Sequence, residues 1–204
     1  MRRHSTCWNS ARGLILVLLL FGAGASPSQA RILVVGDSNA LGVGVRTNQA
    51  WVVRLQRNLK EYVQVFGAPG ATLADPILGI GWAASCLFFD NGIFNSVRVA
   101  VLALGSNDAN HDPATVRDAT RKTLSWVRAP WICIIPLHQR GEDHALDAVR
   151  AVISEECTAV GAVLIDGATL IDDGDLADVK HLNPTGHAKL ARAVRDAVRR
   201  LGPR

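Results

Sequence analysis

Two widely separated stretches of the chain carry the residue types needed for nucleophilic attack on an acyl carbon. Ser38 lies in the turn Gly36-Asp37-Ser38-Asn39, directly behind the apolar run Ile32-Leu33-Val34-Val35. Near the other end, Asp178-Val179-Lys180-His181 places a carboxylate three residues before an imidazole. A serine hydroxyl is a poor nucleophile until a base takes its proton during attack. Imidazole, with an ordinary pKa of ~6.5, is mostly neutral and able to accept at physiological pH. The Asp-x-x-His spacing lets one loop set the carboxylate against one ring nitrogen and leave the other facing Ser38. Ser38, His181 and Asp178 are therefore the candidate nucleophile, base and orienting acid. His187 competes for the role of base, but it falls in the first turn of the last predicted helix, where packing beneath the preceding loop is the expected role. Asp172, Asp173 and Asp175 form an acidic cluster just upstream. They are read as a solvated turn; competition with Asp178 for the imidazole and cation binding are the alternatives, and the spacing favours Asp178.

Attack on an acyl carbon creates an oxyanion, and donors aimed at it in a water-excluded site contribute on the order of 3 kcal/mol each. Three are proposed: the backbone N–H of Ser38, the backbone N–H of Gly70 and the side-chain amide of Asn107. Glycine at 70, in Ala68-Pro69-Gly70, allows close main-chain approach and a positive φ. Gly67 is a weaker candidate for the same duty. Asn107 follows an apolar run in Gly105-Ser106-Asn107-Asp108. Asp37 and Asp108 are expected to brace these loops through backbone hydrogen bonds.

Such loops need a scaffold that delivers them to one place. Five short apolar runs, Ile32 to Val35, Tyr62 to Phe66, Val97 to Leu104, Trp131 to Ile135 and Ala162 to Ile165, alternate with stretches of helical period. Runs without polar alternation suit strands covered on both faces, as in parallel sheets. Helices are expected over Arg46 to Leu59, Ala114 to Val127, His144 to Val160 and Pro184 to Leu201, the last with Asn183 as N-cap and Pro184 at its first position. Repeated strand–helix alternation is an α/β fold, a three-layer α/β/α sandwich, and in open sheets of this kind ligands gather beyond the C-terminal strand ends.

Together the four blocks, Gly36-Asp37-Ser38, Gly67 with Gly70, Gly105-Ser106-Asn107-Asp108 and Asp178 to His181, resemble in kind and order those of the SGNH hydrolases, also called the GDSL esterase/lipase family. The match spans Arg31 to Leu201. It implies a flavodoxin-like five-stranded parallel sheet of order 2-1-3-4-5. It also implies hydrolysis of carboxylic esters through an acyl-enzyme, with no cofactor and no metal. Small-molecule, lipid and acetylated-carbohydrate esters, and thioesters, are the substrate classes the resemblance brings. Carbohydrate or envelope-polymer deacetylation or acetyl transfer is one alternative, and an inactive binding module of the same fold another. One departure from the family pattern is local: His181-Leu182-Asn183-Pro184 stands where the family has His-Pro-Asn, which loosens the loop's preset geometry without removing a catalytic group.

The 204 residues suffice for one domain with a proper core. Residues 1–30 read as an export signal: basic up to Arg12, apolar from Leu14 to Phe21, and ending in Ser28-Gln29-Ala30, with cleavage expected after Ala30 or Ala25. The alternative is an uncleaved anchor, but the apolar stretch falls short of the roughly 20 residues needed to span a bilayer. Without Arg2, Arg3 and Arg12, 19 basic residues face 18 acidic ones, so the formal charge of +4 falls to +1 and no basic patch points to nucleic acid. A periplasmic or secreted monomer is expected.

Cys7 belongs to the leader, leaving Cys86, Cys133 and Cys157, an odd number with no evident pairing. Cys133, inside an apolar run, is read as a small buried hydrophobe. No Cys-x-x-Cys or His cluster points to a metal. Gly42-Val43-Gly44 is not a dinucleotide loop, because Thr47 stands where that fingerprint requires glycine. From Gly67 to Ser96 runs an insertion too long for a turn, holding Trp82, Phe88, Phe89 and Phe94. It would shape a pocket or pack as a satellite core.

Overall fold

The computed structural model describes residues 32–74, 97–125, 127–141 and 143–202. The leader with its cleavage sites, Cys7, Cys86 and the aromatic residues of the insertion lie outside them.

Five strands, β1 (Ile32–Gly36), β2 (Val63–Gly67), β3 (Val99–Ala103), β4 (Trp131–Ile135) and β5 (Val163–Asp166), form one parallel sheet in the order β2-β1-β3-β4-β5. This is the order the family resemblance implied. β1 and β4 are buried along their whole length, which explains their unbroken apolar sequences.

Side chains alternate across the sheet. Ile32, Val34, Val99, Val101, Ile132 and Ile134 face one core, shared with α1 (Trp51–Leu59) and α5 (Pro184–Arg200). Leu33, Val35, Ala100, Leu102, Cys133 and Ile135 face the other, covered by α2 (Pro113–Ser125) and α3 (Asp147–Ala159). A single turn, α4 (Gly167–Leu170), follows β5.

Element boundaries differ from the sequence reading where tertiary contacts decide them. The helix expected from Arg46 starts at Trp51, because Thr47–Gln49 forms a separate 3-10 turn and Ala50 is extended, with φ −58° and ψ 139°. The Trp51 N–H, one of the first-turn donors a helix leaves unpaired, donates to Nδ1 of His187, 136 residues away in sequence (3.2 Å). The helix expected from His144 likewise starts with a 3-10 turn, Asp143–Leu146, before α3. The Asn183 side chain caps α5 by accepting from the N–H groups of Thr185 (2.8 Å) and Gly186 (3.1 Å), with Pro184 following as anticipated.

Cys133 and Cys157 form a disulfide, Cα–Cα 6.4 Å, tying β4 to α3 inside the second core. Cys133 is fully buried, as read from the sequence, but it is also cross-linked. On the outer side of that layer, the carboxylate of Glu156 bridges Arg117 (2.6 Å) and Arg121 (2.7 Å), joining α2 to α3.

Candidate active site

The sheet register brings the candidate loops to one edge. Gly36, Gly67 and Ala103 sit side by side at the C-terminal ends of β1, β2 and β3, so Ser38, Gly70 and Asn107 leave the sheet from neighbouring positions within a few residues.

The turn after β1 is tightly built. A Cβ at Gly36 would lie 2.4 Å from the Ala40 Cβ, so only glycine lets the chain fold back here. Asp37 Oδ1 accepts the Asn39 N–H (2.9 Å) and Val43 N–H donates to the Ser38 carbonyl (3.0 Å). Asp37, Ser38 and Asn39 are all at most 5% exposed. Burial pushes the Asp37 carboxyl up to about 6, against the Asn39 hydrogen bond and the charges of His181 and Lys180. A small cavity adjoins the turn, lined by Asp37, Asn39, Trp51, Ile134 and Leu190 among others.

His181 Nε2 stands 3.1 Å from Ser38 Oγ, and His181 Nδ1 stands 2.7 Å from Asp178 Oδ2. The carboxylate can only accept, so the proton lies on Nδ1 and Nε2 is left as acceptor for the serine hydroxyl. Asp178 Oδ1 also accepts the backbone N–H groups of His181 (2.8 Å) and Lys180 (2.9 Å). Those bonds, with the one from the imidazole, hold its carboxyl well below the usual carboxylate range although the side chain is half exposed.

The loop bearing Asp178 and His181 is closed at its base. Ala177 N–H donates to the His181 carbonyl (2.8 Å), Asn183 N–H to the Asp175 carbonyl (2.8 Å), and Leu176 pairs with Leu182. Arg140 N–H donates to the Val179 carbonyl (2.8 Å). The upstream acidic cluster does not reach the imidazole; Asp172 and Asp173 are solvated as expected, whereas Asp175 is not. Asp175 is buried and, with Asp172, pairs with Lys189, while Asp173 meets His138 (2.8 Å) and the guanidinium of Arg140. These pairs tie the cluster to α5 and to the loop after β4.

Gly70 has φ +74°, and no atom of the described residues lies within 4 Å of where its Cβ would be. Among the described residues, neither the Ser38 nor the Gly70 backbone N–H donates to a protein acceptor. Asn107 Nδ2 donates to the carbonyl of Ala71, the neighbour of Gly70 (3.0 Å), using one of its two protons. Asp108, fully buried, accepts the N–H groups of Leu73 and Ala74 (both 2.9 Å) and so fixes the loop beyond Gly70. Gly67 is displaced from this group: a Cβ there would lie 2.4 Å from the Gly36 carbonyl oxygen, so its glycine serves strand packing. His187 is also apart, fully buried under the loop, with its pKa lowered to about 4 by burial and then by the charge of Arg54.

Two contributors went unassigned in the sequence. Asn39 joins the turn to the C-terminal loop: its Nδ2 donates to the Lys180 carbonyl (3.1 Å) and its Oδ1 accepts the Leu182 N–H (3.0 Å). Lys180 Nζ donates to Asn107 Oδ1 (3.0 Å). Only the position of Asn39 directly after the serine hinted at its role. Among the described residues no three His, Cys, Asp or Glu side chains converge as a metal site.

The family profile of GDSL-like lipases/acylhydrolases matches residues 34–189, which include Ser38, Gly70, Asn107, Asp178 and His181. The chain belongs to this GDSL-like family. Membership places it among carboxylic ester hydrolases. Solved structures share the fold: TesA at 21% identity, TM-score 0.68, over 83% of this chain and 98% of that one. Est24, a carbohydrate acetylesterase from Sinorhizobium meliloti, matches at 14% identity, TM-score 0.71, over 85% and 100%. The aryl esterase of M. smegmatis matches at 16% identity, TM-score 0.70, over 84% and 99%. Curated protein sequences yield no match.

Proposed function

We propose that this GDSL-like hydrolase is an exported serine esterase acting through an acyl-enzyme. One observation carries the reading: the continuous relay from Ser38 Oγ through the His181 ring to Asp178, at 3.1 and 2.7 Å. Ser38 Oγ attacks the ester carbonyl carbon while its proton passes to His181 Nε2. The negative charge that develops on the carbonyl oxygen meets the N–H groups of Ser38 and Gly70 and the second proton of Asn107 Nδ2. The carbon–alkoxy bond then breaks, and His181 returns the proton to the leaving alcohol. Water attacks the acyl-Ser38 ester by the same route in reverse, giving up a proton to His181 that goes back to Ser38 Oγ as the carboxylic acid departs. Asp178 holds the imidazole in the reactive tautomer and stabilises the imidazolium.

Export is supported by the leader-like first 30 residues and by the disulfide, a bond that persists in oxidising compartments. Acetylated carbohydrate is the second substrate reading, favoured by the similarity to Est24 and to a family-two carbohydrate esterase from Clostridium thermocellum (18% identity, TM-score 0.69). A chromogenic ester series from acetyl to long acyl, with Ser38→Ala as control, tests the proposal. Turnover is expected to fall by about 10³-fold or more in the variant. Retained turnover in Ser38→Ala would reject the mechanism. A profile confined to acetyl esters would favour the carbohydrate reading, and one rising with chain length a lipid.

A further inference from the structure

The geometry points to Lys180 as a positioning residue that sets Asn107 as an oxyanion donor. This rests on the esterase reading above. An asparagine amide offers two nearly isosteric ends, and only its neighbours decide which end faces a substrate. Here the neighbours admit one answer. The Lys180 ammonium can only donate, so the atom 3.0 Å from it must be Oδ1. The Ala71 carbonyl can only accept, so the atom 3.0 Å from it must be Nδ2. Clamped between a cation and a carbonyl, the amide is fixed in one orientation and has one Nδ2 proton left for an acceptor. Without Lys180, Oδ1 loses its only donor among the described residues, and rotation about the terminal torsion would be limited by Ala71 alone.

The lysine is itself held for this task. Its carbonyl accepts from Asn39 Nδ2 (3.1 Å) and its N–H donates to Asp178 Oδ1 (2.9 Å), so its backbone is pinned between the nucleophile turn and the orienting acid. The side chain is half-buried, and no carboxylate among the described residues lies within ion-pair distance of its ammonium. The ammonium also polarises the amide it touches, making Nδ2–H a better donor to a developing oxyanion. The loop that supplies the base and acid thus also tunes the third oxyanion donor, and the two halves of the chemistry are mechanically coupled through residues 178–181.

Lys180→Met, Lys180→Arg, Asn107→Ala and the Lys180→Met/Asn107→Ala double variant, assayed on one short chromogenic ester with melting temperatures measured alongside, test this. Lys180→Met is expected to lower kcat by about 10- to 100-fold with KM within about twofold, since the contact matters mainly in the transition state. Lys180→Arg should recover most of that loss. In the Asn107→Ala background the lysine substitution should cost less than about threefold, because its route of action is already gone. An Lys180→Met enzyme as fast as the parent, a loss residing in KM, or an equal loss with and without Asn107 would each overturn the proposal while leaving the esterase reading intact. An inactive parent, or activity surviving in Ser38→Ala, would remove both.

Discussion

His181 and His187 stand six residues apart and meet opposite fates. His181 sits on a loop with its side chain 19% exposed, one nitrogen on a carboxylate and the other on a hydroxyl. His187 sits in the first turn of α5, wholly buried, with Nδ1 accepting the Trp51 N–H and Nε2 without a partner among the described residues. The first arrangement keeps a proton acceptor facing a nucleophile and provides a counter-charge for the imidazolium formed in the reaction. The second makes the charged form costly and uses the ring as a neutral cap joining α1 to α5. Environment, not residue type, divides a candidate catalytic histidine from a structural one.

The largest effect that would sharpen this contrast is on turnover. His181→Ala is expected to lose about 10³- to 10⁴-fold in kcat/KM. His187→Gln should stay within about threefold, because glutamine can still accept from the Trp51 N–H; steady-state kinetics of the two variants on the same ester decide it. The reverse ranking would move the base to His187.

A smaller effect lies in stability. Burial lowers His187 from its ordinary 6.5 to about 4, so the unfolded chain takes up the proton more readily than the folded one. The stability tied to keeping this ring neutral is therefore intact above about pH 6.5 and is lost as the pH falls toward 4, on the order of 3 kcal/mol across the window. Asp37 acts in the opposite sense. Its carboxyl is raised from 3.8 to about 6, so over that interval protonation favours the folded state. Denaturant unfolding of parent and His187→Gln at several pH values between 4 and 7 isolates the histidine. The parent should lose stability faster on acidification, and parallel curves would contradict the assignment.

The sequence carried the parts of the fold that depend on local pattern. Short apolar runs marked all five strands, although Gln64 interrupts the second, and Asn183-Pro184 marked the start of α5 to the residue. The turn at Ser38 and the Asp178-x-x-His181 spacing were readable because turn chemistry and a three-residue loop are short-range features. What escaped was decided across the fold. The start of α1 depends on a cap from His187, the Cys133–Cys157 bond on β4 facing α3, and the roles of Asn39 and Lys180 on side chains reaching between loops about 70 to 140 residues apart. The partners of the acidic cluster escaped for the same reason: Lys189, His138 and Arg140, which bind it, come from other elements or from a later turn of α5.

Covalent labelling reads the activation of Ser38 by His181 at the reacting atom itself. A fluorophosphonate probe, followed by proteolysis and mass spectrometry, should place one adduct per chain on Ser38, at a rate about 10³-fold lower in His181→Ala and unchanged in His187→Gln. An adduct on another residue, or Ser38 labelled as fast without His181 as with it, would rule out Ser38 as a nucleophile activated by His181.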